Sequence, residues 1–83
     1  MKKQKMTLEQ AIKKAYDKYM TLQTEDAYIE NGANFVAVVP SGFILSHPQY
    51  YTDGYIKRLY YIAKFLSKYT NKIVQYGQGY TLN

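Results

Sequence analysis

The sequence predicts a small α+β domain in the order α-β-β-β-α-β, an antiparallel meander sheet packed by two helices. Three observations carry this prediction. Two segments, near 7–24 and 53–70, repeat apolar residues at helical spacing. Short β-branched and aromatic runs lie between them, separated by Asn31-Gly32 and Pro40-Ser41-Gly42. The chain has 83 residues, enough for one domain and too few for two.

Residues 1–6 carry Lys2, Lys3 and Lys5 and read as a flexible basic tail, leaving 7–83 as the domain. Thr7 and Gln10 have the spacing of a capping box, in which hydroxyl and amide each satisfy the other residue's backbone N–H. Leu8, Ala11, Ile12, Ala15, Tyr19 and Leu22 then form one apolar stripe, and the helix should fade near Thr24. Glu25-Asp26 reads as a solvated turn, although paired carboxylates also suit a metal or a shared proton.

Residues 27–30 read as a short strand. Asn31-Gly32 after it is a strong hairpin signal, because both central residues of a type I′ turn need positive φ. Residues 35–39 form a continuous apolar run, expected as a central strand with both faces covered. Phe43-Ile44-Leu45-Ser46-His47 is expected as a third strand, stopped by Pro48. Asp53 is placed as the cap of the second helix, with Tyr55, Leu59, Ile62, Leu66 and Tyr69 on its buried face and Asn71 closing it. In 72–82, Val74, Tyr76, Tyr80 and Leu82 alternate, but Gly77 and Gly79 weaken the run, so an edge or bulged strand is expected.

A domain of this size buries roughly 60–65% of the surface its unfolded chain exposes, so the core is thin. Tyrosine is abundant, with 11 residues against 3 Phe and no Trp. Its ring is apolar and its tip polar, which suits core boundaries and interfaces. Mean hydropathy is −0.45, and no apolar run is long enough to span a bilayer or form a signal peptide. A cytoplasmic protein without membrane contact is the expectation. Cysteine is absent, which removes disulfides and thiolate metal sites. The excess of Lys, Tyr, Ile and Asn over Arg and Pro is the pattern AT-rich codons would produce and points to a low-GC microbe or its phage, which leaves the lysine and tyrosine excess open to a coding origin as well as a functional one.

The net charge is +5 and the pI about 9.4, a balance that favours anionic partners. Arg58 is the only arginine. Lysine attracts phosphate but lacks the planar fork that reads bases.

Lys57, Tyr61, Lys64 and Lys68 lie at i, i+4, i+7 and i+11 and share one helix face, with Arg58 beside them. Cations interleaved with a ring suit a phosphate backbone with stacked bases, or an acidic protein surface. A solvated helix face has the same composition. Lys13, Lys14 and Lys18 make a second group, and the two would merge if both helices packed on one side of the sheet. Tyr50-Tyr51 and Tyr60-Tyr61 are adjacent pairs, so one ring of each should point outward, and Tyr76 and Tyr80 could do the same.

His47 is the only histidine, and Asp53 could orient it as a general base. It has no second histidine and no nucleophile motif around it, and a structural role suits it better. Gly77-x-Gly79 lacks the strand–helix context of a dinucleotide fingerprint.

The order α-β-β-β-α resembles that of the double-stranded-RNA-binding domain, which uses lysines at the start of its last helix. Here the basic residues run along the helix and a further strand follows it.

The sequence therefore points to a non-enzymatic protein-interaction module without a cofactor or metal. It would be a phage or mobile-element accessory protein acting on a host factor, with a host or viral protein as partner. A free edge strand could add to a partner's sheet or to a second copy in a homodimer. The alternative is a nucleic-acid-binding protein that contacts phosphates through its lysine faces.

Overall fold

The computed structural model describes residues 6–19 and 27–82. They form an α+β fold with a four-stranded mixed sheet in the order β1-β2-β3-β4.

Helix α1 spans Leu8–Tyr19. The capping box forms as the spacing requires: the Thr7 N–H donates to Gln10 Oε1 at 3.0 Å, and the Gln10 N–H donates to Thr7 Oγ1 at 3.1 Å. Ala11 and Ala15 are fully buried in the stripe, and their small side chains let α1 lie close against the second long helix. Met6, assigned to the tail from sequence, packs against the core. The expected continuation to Thr24 and the Glu25-Asp26 turn lie outside the described residues.

Strands β1 (Ala27–Asn31) and β2 (Phe35–Pro40) pair antiparallel, from Ala27 opposite Pro40 to Asn31 opposite Val36. The hairpin exists, but not as a two-residue type I′ turn. Residues 32–34 connect the strands, and the positive-φ glycines are Gly77 and Gly79 rather than Gly32. Gly32 is required by contact instead: a Cβ there would fall 2.2 Å from the Phe35 ring. On β2, Val36, Val38 and Pro40 point into the core. Phe35, Ala37 and Val39 alternate to the opposite face, where Tyr28 and Ile73 are exposed. On that face Ala37 is buried while Phe35 and Val39 are half-buried, so the expected covering of both faces holds only at the centre of the strand.

The predicted third strand is a helix. Ser41 caps α2 (Gly42–Ser46) by accepting a hydrogen bond from the Ile44 N–H at 3.3 Å, and the Ser46 hydroxyl donates to the Gly42 carbonyl at 2.8 Å. A 3-10 turn follows over Pro48–Tyr50. The five-residue run gave no periodicity able to separate strand from helix, and local side-chain caps decided it. Only Ile44 of the helix is buried.

Helix α3 spans Asp53–Ser67 and buries Tyr55, Leu59, Ile62, Ala63 and Leu66, most of the predicted face. Its cap is Thr52, whose hydroxyl accepts from the Tyr55 N–H at 3.2 Å, and Asp53 is the first helical residue. Lys68, not Asn71, closes it.

With the third strand gone, the place beside β2 is taken by β3 (Ile73–Tyr76), which runs parallel to it from Phe35 opposite Ile73 to Val38 opposite Tyr76. Parallel neighbours need a crossover, which α3 supplies. The tail strand is therefore central. It turns through Gly77 (φ 65°) and Gly79 (φ 102°) into an antiparallel edge strand, β4 (Tyr80–Thr81). The antiparallel meander is corrected to a mixed sheet, and the likeness in element order to the double-stranded-RNA-binding domain ends here.

The core lies between the helices and one sheet face, with Leu59, Ile62 and Leu66 against Val36, Val38 and Val74. Among the described residues no helix is long and apolar enough to cross a membrane.

Candidate binding surface: a cationic groove and a tyrosine track

Helix α3 buries one side in the core and presents the other to solvent, as its apolar spacing dictates. Where α1 packs beside it, the two leave a groove of about 360 Å³. Its lining is Tyr19 from the end of α1 with Arg58, Tyr61, Lys64, Phe65 and Lys68 from α3. Four of the predicted residues, Arg58, Tyr61, Lys64 and Lys68, thus share one concave site. Aromatic rings form its apolar surface: the Tyr19 and Phe65 centroids are 5.7 Å apart, and Phe65 and Tyr69 are 5.4 Å apart.

Among the described residues the groove lining holds three cations and no carboxylate. Lys18 adds a fourth positive head at the margin, its Nζ 5.6 Å from the Tyr19 ring centroid. Arg58 lies 5.8 Å from the Tyr55 ring centroid on the core side. Concave like-charged lining concentrates the field and raises the local density of anions.

A track of tyrosines leaves the groove over the crest of α3. Tyr60 follows Tyr61 about 100° round the helix, with centroids 5.5 Å apart. Tyr60 meets Tyr76 of β3 edge to face at 5.5 Å. Tyr76 stacks on Tyr80 of β4 at 5.3 Å, their planes 26° apart. Lys64 Nζ stands 6.0 Å from the Tyr60 centroid, linking groove and track. Tyr61 is 55% exposed and Tyr80 50%, so the track is open at both ends.

The remaining predicted residues divide. Tyr76 reaches the site through Tyr60. Lys57 is exposed on α3 and Lys13 and Lys14 are exposed on α1, but none of the three lines the groove. Among the described residues, Lys18 alone of the α1 lysines touches a lining residue, through the Tyr19 ring.

Sequence reasoning missed Tyr19, Phe65 and Tyr60 as parts of the site. Phe65 had a signal, four residues beyond Tyr61 on the same face. Tyr19 had none, because only the packing of α1 on α3 brings it there.

His47 serves a different arrangement. Its Nδ1 lies 2.9 Å from the Phe43 carbonyl oxygen, an acceptor, so this nitrogen donates. The ring stacks on Phe43 at 4.4 Å, and Tyr50 lies 5.8 Å from Phe43 on a near-parallel plane. The His47 and Tyr50 centroids are 6.1 Å apart, so the three rings form one cluster at the end of α2. Among the described residues no group of three His, Cys, Asp or Glu could hold a metal ion.

The sheet edges differ. On β1 the Ile29 N–H donates to the Tyr16 hydroxyl at 2.8 Å, so α1 blocks that edge at its centre. The other edge, β4, has two residues.

Comparison with protein-family models, with curated proteins and with solved structures finds no match.

Proposed function

We propose that this chain is a non-enzymatic binding module that holds an anionic partner against the α1–α3 groove. The observation that carries the reading is the lining itself: among the described residues, Arg58, Lys64 and Lys68 over Tyr19, Tyr61 and Phe65, with no carboxylate.

Net charge alone makes any basic protein stick to polyanions, so the test needs a matched control. Lys64→Glu with Lys68→Glu reverses two groove cations. Lys13→Glu with Lys14→Glu makes the same change in net charge outside the groove. Affinity for heparin, read by calorimetry, should fall much further in the first pair. Equal losses would show that net charge, not the groove, does the binding.

A second reading rests on a separate observation. Phe43 and Tyr50 are exposed beside the His47 ring. An exposed aromatic stack suits the anchor of a protein–protein interface, as in an accessory protein acting on a host factor. Such binding should be insensitive to salt and lost with Phe43→Ala, whereas groove binding should weaken with salt.

A further inference from the structure

We infer that the anionic partner is a single-stranded nucleic acid, held by its phosphates in the groove and by its bases along the Tyr61–Tyr60–Tyr76–Tyr80 track. The inference rests on the groove reading above and extends it to a class of ligand.

An acidic peptide would satisfy the cations and stop there. It has no use for a row of rings running away from the positive charge. A nucleic-acid strand needs both features at once, because each nucleotide carries one phosphate and one flat apolar base. The structure interleaves them: Lys64 stands at the Tyr60 ring, Lys18 at the Tyr19 ring, and Tyr61 lies in the lining beside Lys68. Successive rings of the track are 5.3–5.5 Å apart. Tyr60 and Tyr76 are engaged edge to face within the track, while Tyr61 and Tyr80 keep about half their surface in solvent. These last two are the platforms on which a base can stack.

The strand must be single. In a duplex the base faces are stacked on one another and unavailable to a ring. Recognition is tolerant of sequence, since stacking accepts any base and lysine is a point charge.

The test is fluorescence anisotropy of end-labelled oligo-dT of 4, 8 and 12 nucleotides, a 12-base-pair duplex and a labelled poly-glutamate peptide, each titrated across salt. Single strands should bind tighter than the duplex. With about three phosphates neutralised, log affinity should fall against log salt with a slope of about −2. Tyr80→Leu lies outside the groove. It should weaken the 8- and 12-mers at least about fivefold and leave poly-glutamate binding unchanged. Tyr61→Leu should weaken every oligonucleotide. The chain has no Trp, so its tyrosine emission can be read directly, and stacking should quench it in the wild type and less in either variant.

Poly-glutamate binding without oligo-dT binding overturns this inference and leaves the groove reading standing, with an acidic protein segment as the partner. No binding of either ligand overturns both. A duplex that binds as tightly as the single strand, or oligo-dT affinity unchanged by both tyrosine variants, overturns the stacking track.

Discussion

Gly32→Ala separates two reasons for a glycine in the β1–β2 connection. If residue 32 needed positive φ, as in a type I′ turn, alanine would be strained there whatever surrounded it. The structure places the constraint in contact: a Cβ at residue 32 would lie 2.2 Å from Phe35 Cε1 and 2.6 Å from Cδ1. Ordinary contact begins at 3.4 Å, so the ring must shift by about 1 Å. Phe35 is half-buried and can swing toward solvent, so overpacking should cost about 1–2 kcal/mol, the low end of its usual range. Alanine in an unstrained backbone regains about 0.4–1 kcal/mol by narrowing the unfolded ensemble. The net loss expected is therefore about 0–1.6 kcal/mol. In a Phe35→Ala background the obstructing ring is gone. Gly32→Ala should then be neutral or stabilising, by up to about 1 kcal/mol. Urea denaturation of the four proteins of this cycle measures the coupling directly. An equal loss in both backgrounds would refute the contact argument and return the glycine to a requirement of the backbone.

Two further predictions concern stability. Thr52→Ala removes the α3 cap and should cost about 1 kcal/mol, whereas Asp53→Ala should cost only about 0.3–1 kcal/mol through the helix dipole; the opposite ranking in urea midpoints would restore Asp53 as the cap. Burial pushes the Tyr55 phenol up to about 12, Tyr51 beside it adds to the rise, and a hydrogen bond with the Ser41 backbone opposes it. The unfolded phenol titrates near pH 10. Above that pH the unfolded chain loses a proton that the folded chain keeps, so the contribution of Tyr55 to stability is constant below pH 10 and falls as the pH rises from 10 towards about 12. Tyr55→Phe should flatten that part of the fall, seen as the urea midpoint against pH, and an unchanged slope would count against the assignment.

Much of the site was readable before the fold was known. The spacing of Arg58, Tyr61, Lys64 and Lys68 places them on one helix face, and they do line one groove. Lys57 shares the periodicity but lies outside the lining. Helical spacing defines a face wider than a groove, and the neighbour decides which part of it is enclosed. Tyr19 and the Tyr60–Tyr76–Tyr80 track depend on residues far apart in sequence and could not be paired by spacing.

The elements divide along the same physical line. The capping box of Thr7 and Gln10, the buried stripe of α3 and the β1–β2 hairpin follow from interactions within a few residues, and sequence spacing reports these; Gly77 and Gly79 were read as weakening one strand and instead turn it into two. Residues 43–47 were misassigned because a run of five residues with three apolar ones fits either period, and the Ser41 cap tipped them into a helix. That one change left the position beside β2 free for β3. Its parallel direction could not be read locally, because a strand's alternation is the same whichever way its neighbour runs. Strand pairing, the partly covered sheet face and the meeting of α1 with α3 were settled by how the apolar surfaces buried one another, which is a property of the whole chain.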